Sequence, residues 1–168
     1  MIGLASMPPL SFAPPKNGCS SPDEPRRRFV VIHNPVAGAR RIQRLHDVVE
    51  LLTGRFGAEV VVAPTAGRGD AEAIASGAGR ESADVVVAAG GDGTINEVIN
   101  CLAEAKRGVA LGIIPLGTAN VLAKELGLET DAERLAETLA NGPVRDVCLG
   151  SVNGRRFAMM AGAGFDAH

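Results

Sequence analysis

The sequence predicts an α/β fold: an open, mostly parallel sheet with helices on both faces. Three observations carry that expectation. Short apolar, β-branched runs alternate along the chain with stretches of helical spacing, the pattern of successive βαβ units. The predicted strands are apolar throughout rather than at every second residue, as strands are when helices cover both faces. The core also lacks aromatic material. Hydrophobic residues make up 46% of the 168, yet there is no Trp or Tyr and only five Phe. Val, Ile, Leu and Ala must fill it, which suits a sheet between helices better than a sandwich with aromatic anchors.

The elements run in order through an α/β domain at residues 28–143. Phe29–His33 (FVVIH) reads as the first strand. Ile42, Leu45, Val49 and Leu52 have helical spacing, with Gly54 as the stop. Glu59–Ala63 is the second strand, and Ala71, Ile74, Ala75 and Ala78 give the next helical face. Asp84–Ala89 is the third strand, followed by Ile95, Val98, Ile99 and Leu102 on one helix face. Leu111–Ile114 is the fourth strand, with Leu122 and Leu126 on a short helix. Asp131–Ala140 is a further helix, with Leu135 and Leu139 inward and Asn141-Gly142-Pro143 as its end. Parallel strands joined this way require right-handed crossovers.

The pattern changes after Pro143. VRDVCLGSV, then Asn153-Gly154, then RRFAMMAGAGF reads as an antiparallel hairpin with a tight turn. Two strands cannot bury a core alone. Residues 144–168 are therefore expected either to open a β-rich second domain that is incomplete here, or to pack onto the first domain or a partner. Residues 1–27 are rich in Pro and Ser, with no continuous apolar stretch, and read as a disordered leader rather than a signal peptide.

Composition excludes several function classes. A net charge of −2 and a pI near 5.9 do not suit nucleic-acid binding, and no nucleic-acid partner is expected. Cys19, Cys101 and Cys148 are far apart and form no CxxC, which argues against a zinc site or disulfide framework and for a reducing compartment. No apolar run approaches the ~20 residues that span a bilayer.

In an open parallel sheet, ligands bind beyond the carboxyl ends of the strands. Four segments leave those ends. Gly90-Gly91-Asp92-Gly93-Thr94 is the most informative, because glycines let the backbone approach phosphate and the following helix presents free N–H groups. Its spacing is neither GxGxxG nor GxxxxGK[ST], so neither a Rossmann nor a P-loop reading applies. Thr94 and Glu97 have the spacing of a capping box. Such a capped turn leaves Asp92 without a role. A carboxylate there repels phosphate unless it meets a magnesium ion or accepts a proton from an attacking hydroxyl.

Asn34-Pro35-Val36-Ala37-Gly38 follows the first strand as a turn. Arg40 and Arg41 lie near the next helix start, where the dipole disfavours cations, so either a nearby anion or a solvated surface is expected. Pro115-Leu116-Gly117-Thr118-Ala119-Asn120 follows the fourth strand. Thr118 is a natural N-cap there, and its hydroxyl and the Asn120 amide could also bond a nucleotide. Thr65 follows the second strand, and Asp70 reads as the N-cap of the next helix.

Together, in this order, these segments resemble the catalytic domain of the diacylglycerol kinase family, which includes bacterial lipid kinases, sphingosine kinases and ceramide kinases. The match runs from about Phe29 to the end of the chain. GGDGT is shared with the superfamily that contains NAD kinases. NPxxG at Asn34–Gly38 and PxGTxN at Pro115–Asn120 are what resemble a lipid kinase, and AGAGFDA at Ala161–Ala167 resembles the start of the family's second domain.

The resemblance implies an NAD kinase/diacylglycerol kinase-like fold and an ATP site in the cleft between domains. The nucleotide-contacting positions it implies are Asn34, Pro35, Val36, Ala37, Gly38, Thr65, Gly91, Asp92, Gly93, Thr94, Ile95, Asn96, Glu97 and Thr118, with Asn120 in the same motif. Asp92 would be the catalytic residue and the metal contact. The reaction implied is Mg2+-assisted transfer of the ATP γ-phosphoryl group to a lipid hydroxyl, of diacylglycerol or a related lipid, by a cytoplasmic enzyme in peripheral contact with a membrane. A homodimer is also implied, as bacterial members often dimerise. The family's second-domain glutamate and acidic residues have no counterpart here, so this chain alone is expected to be inactive. An NAD kinase-like enzyme and a nucleotide-binding regulatory module without turnover are the alternatives.

Overall fold

A computed structural model describes residues 26–36, 41–80, 83–104 and 109–160. The elements expected from the sequence form in the same order: β1 (Arg28–His33), α1 (Ile42–Gly54), β2 (Glu59–Pro64), α2 (Asp70–Arg80), β3 (Val85–Gly90), α3 (Asp92–Leu102), β4 (Ala110–Pro115), α4 (Val121–Glu125) and α5 (Ala132–Asn141). The four strands form one parallel sheet in the order β2-β1-β3-β4.

The residues of β1 and β3 divide between two cores. Val30, Ile32, Val86 and Ala88 pack with the buried faces of α2, α3 and α4. Phe29, Val31, Val85, Val87 and Ala89 pack with α1 and α5 on the opposite side. Successive strand side chains point to opposite faces, so two covered faces demand an unbroken apolar run. Gly112 shows how closely α5 lies on β4: a Cβ there would meet Leu139 Cδ2 at 2.5 Å.

Some local expectations hold and others are corrected. α1 ends at Gly54 as expected, although Gly54 is its last helical residue and the left-handed glycine is Gly57 (φ 62°). The hairpin forms, but its strands are short, β5 (Gly150–Val152) and β6 (Arg155–Phe157). Asn153 (φ 49°) and Gly154 (φ 77°) turn it, as a two-residue hairpin loop with both central residues left-handed requires. Residues 144–149 carry no strand.

Two polar ties close the amino-terminal edge of the sheet. Asp84 accepts from the backbone N–H groups of Arg27 (3.0 Å) and Arg28 (2.9 Å) and from the Arg28 guanidinium (2.6 Å). Burial alone would raise the Asp84 carboxyl, but these donors outweigh it and hold it below its ordinary value. Arg26 donates to the carbonyls of Leu139 (2.8 Å) and Gly142 (2.6 Å), satisfying acceptors at the carboxyl end of α5. Arg26 and Arg27, expected within the leader, are thus bonded to the domain, while residues 1–25, Ala37, Gly38, Arg40 and the AGAGFDA segment lie outside the described residues.

Candidate active site

All four strands run the same way, so their carboxyl ends share one edge, and backbone hydrogen bonds lay the loops side by side. Thr65 N–H donates to His33 O (2.8 Å) and Asn34 N–H to Ala89 O (3.2 Å). Leu116 N–H (2.9 Å) and Gly117 N–H (3.1 Å) both donate to Gly90 O. The four predicted segments are therefore neighbours in the order of the strands.

A cavity of about 440 Å³ opens among three of them. Of the positions expected to contact nucleotide, Asn34, Val36, Thr65, Gly93, Thr94, Asn96 and Glu97 line it. Pro35, Gly91, Ile95, Thr118 and Asn120 do not. Ile95 is 2% exposed and belongs to the core, and Thr118 is exposed away from both cavities. A second, largely apolar cavity of about 210 Å³ shares Asn96 with the first. It is bounded by Asp92, Ile99, Leu122, Phe157 and Met159.

The capping arrangement differs from the sequence reading. Gly91 is the N-cap of α3 and supplies no side chain, and no Thr94–Glu97 box forms. Glu97 reaches across to the start of α2 instead: its two oxygens accept from Gly69 N–H (3.0 Å) and Ala71 N–H (3.2 Å). Asp70 is displaced from the capping role and turns back to accept from Ala66 N–H (2.8 Å) and Gly67 N–H (2.9 Å). Spacing within one helix cannot reveal a cap supplied by another helix, which is why the box was expected.

Asp92 has a structural role that the sequence did not disclose. Its Oδ1 accepts from Val121 N–H at 2.7 Å, at the start of α4. Thr118 is not that helix's cap. The N-cap is Asn120, which is left-handed (φ 49°, ψ 52°) and makes no side-chain cap bond. Asn120 Nδ2 instead donates to Gly117 O (2.7 Å), and its buried Oδ1 has no hydrogen-bond partner. Gly117 must be glycine for a close approach, since a Cβ there would lie 2.5 Å from Gly91 Cα.

Arg41, at the start of α1, has backbone partners of its own. It donates to Leu116 O (3.2 Å) and to Gly117 O, and Arg44 donates to Pro115 O (2.7 Å). Arg41 and Arg44 thus tie the start of α1 to the β4–α4 loop, while Arg40 lies outside the described residues. Burial pushes the His33 imidazole down, and His46 adds to the effect, so His33 brings no full positive charge to this edge at neutral pH. The cations lining the larger cavity are Arg68 and Arg155. Neither was foreseen, because each is separated in sequence from the glycine-rich turn.

Among the described residues no group of three or more His, Cys, Asp or Glu could hold a metal ion. Asp92 offers the one carboxylate oxygen that Val121 leaves unengaged. This suits Mg2+ held mainly by water and phosphate oxygens with a single protein carboxylate, and does not suit an all-protein metal cage.

Fold and site together define an α/β domain whose glycine-rich loops enclose a ligand cavity at the carboxyl edge of a parallel sheet. The Diacylglycerol kinase catalytic domain family matches residues 28–152, and the chain belongs to that family. It is 40% identical over 139 residues to a diacylglycerol kinase of Bacillus subtilis (strain 168), covering 82% of this chain and 46% of that protein. It is 37% identical to a diacylglycerol kinase of Staphylococcus saprophyticus, covering 83% of this chain and 46% of that protein. The crystal structure of a diacylglycerol kinase from Bacillus anthracis str. Sterne superposes with a TM-score of 0.66 at 28% identity, over 79% of this chain and 46% of that one. The chain spans about half the length of the curated relatives it matches.

Proposed function

We propose that the chain forms the nucleotide-binding part of an ATP-dependent lipid kinase, which transfers the γ-phosphoryl group to the hydroxyl of diacylglycerol or a related lipid. The observation that carries this reading is the 440 Å³ cavity at the sheet's carboxyl edge, which draws Asn34, Thr65 and the glycine-rich turn to one place. Its size falls in the range of small-molecule sites. In a kinase reading, the backbone N–H groups near Gly91 and Gly93 face the phosphates at an α3 N-terminus that no side chain caps. Mg2+, when bound, would neutralise phosphate oxygens beside Asp92. The free Asp92 oxygen would meet that Mg2+, leaving the proton of the attacking hydroxyl to another base. The apolar cavity bounded by Asp92 supports an acceptor with hydrocarbon character. Such an acceptor is met at a membrane surface, so peripheral contact belongs to the same proposal, as does the homodimer that the family resemblance implied.

A nucleotide-binding module without turnover is favoured by one specific observation, the Asp92–Val121 bond, which accounts for Asp92 without chemistry. Two substitutions separate the readings. Asp92→Asn keeps an oxygen for Val121 N–H and removes the charge; Asp92→Ala removes both. For the kinase reading, calorimetry should show that both lose the Mg2+ dependence of ATP binding. Only Asp92→Ala should also lose about 1 kcal/mol of stability. If Asp92→Asn binds Mg-ATP as the wild type does, Asp92 is a structural cap and the catalytic role fails. In a protein that includes the second domain, phosphorylation of diacylglycerol but not NAD is expected.

A further inference from the structure

The cavity assigned to nucleotide has walls from the α/β domain on most sides, and one cation that comes from elsewhere. Arg155 stands on β6, beyond the last helix of that domain, and lines the same cavity as Thr65, Gly93 and Thr94. Its guanidinium pairs with Glu72 on α2 at 3.0 Å. Both side chains remain substantially exposed, at 55% and 39%. Exposed pairs of this kind contribute little and exchange partners readily.

What holds Arg155 there is better fixed than the pair itself. Asn100 on α3 is 5% exposed and clamps the backbone of Arg156 from both sides. Its Oδ1 accepts from Arg156 N–H (2.8 Å) and its Nδ2 donates to Arg156 O (3.0 Å). Arg156 in turn pairs with Glu104, in the turn after α3, at 3.3 Å, so the two neighbouring arginines reach to different segments. The strand is thereby anchored while the Arg155 head is left on a weak, solvated partner.

We propose that Arg155 is a phosphate-binding residue, supplied by the β5–β6 hairpin, and that Glu72 holds it until an anion enters the cavity. This rests on the nucleotide reading above and deepens it. A triphosphate brings several negative charges into a cavity whose lining cations are Arg68 and Arg155. A planar guanidinium suits phosphate oxygens better than it suits one exposed carboxylate. Glu72 and the nucleotide then compete for one side chain on an anchored strand.

The competition makes two substitutions act in opposite directions. Titrations of Mg-ATP, Mg-ADP and adenosine into the full chain would compare the wild type with Arg155→Ala, Arg155→Lys and Glu72→Gln. Arg155→Ala should weaken Mg-ATP binding about tenfold and leave adenosine unchanged. Arg155→Lys should fall between, because it keeps charge without the fork. Glu72→Gln should tighten Mg-ATP about threefold by releasing Arg155. A merely structural pair predicts the reverse for Glu72: both partners' variants would weaken binding together, and adenosine would weaken with ATP. That result overturns the inference and leaves the nucleotide reading intact. Failure of the folded wild-type chain to bind Mg-ATP overturns both.

Discussion

Two carboxylates separate what local sequence can disclose from what it cannot. Glu97 sits where a capping box would place it, yet it caps a neighbouring helix rather than its own. Asp92 sits where catalysis would place it, yet one oxygen is already occupied by α4. Residue types and positions were legible; partners were not, because they come from elements 26 to 29 residues away. Glu97→Ala should therefore destabilise the chain by about 1–2 kcal/mol through two orphaned backbone donors. Hydrogen exchange should place the loss at Gly69 and Ala71, at the start of α2. Loss of protection confined to the first turn of α3 would show that Glu97 caps its own helix in solution.

At the scale of elements, most of the fold was readable. Each of the four strands was placed to within about a residue at either end, because β-branched runs such as VVVA admit few alternatives. The hairpin turn was readable from Asn153-Gly154 alone. The ties between elements were less visible. Asp84 was read as the first residue of a strand, and it proves to be the acceptor joining the starts of β1 and β3. Its carboxyl is depressed in the fold. Its contribution is therefore fully present above the unfolded value of about 4 and is lost as pH falls through the lower folded value. Asp84→Asn should cost about 1–2 kcal/mol near neutrality, and the gap from wild type should close on acidification below pH about 4. Thermal melts across that range would check it; a gap independent of pH would exclude the charged carboxylate as its source.

At the scale of the whole molecule, the hairpin is joined to the α/β layer chiefly through α3. Asn100 was not singled out from sequence, although a polar residue beside Val98 and Ile99 on a buried helix face is a signal of a specific partner. That partner is a backbone rather than a side chain, and no residue pattern marks it. Asn100→Ala would leave the N–H and carbonyl of Arg156 without the clamp. The expected result is faster proteolysis between Gly150 and Phe157, with little change in the melting of the sheet domain. Equal loosening of both would mean that hairpin and sheet unfold as one unit.

The Glu97 bridge also lends the cavity a direction. Two helix N-termini, those of α2 and α3, open toward this edge, and each would attract an anion. At α2 the donors of Gly69 and Ala71 are already taken by a carboxylate. At α3 the cap is a glycine with no side chain to occupy them. An incoming anion therefore meets a plugged socket on one side and an open one on the other. On the proposed nucleotide reading, the end that takes the phosphates is set by a side chain that never needs to touch them.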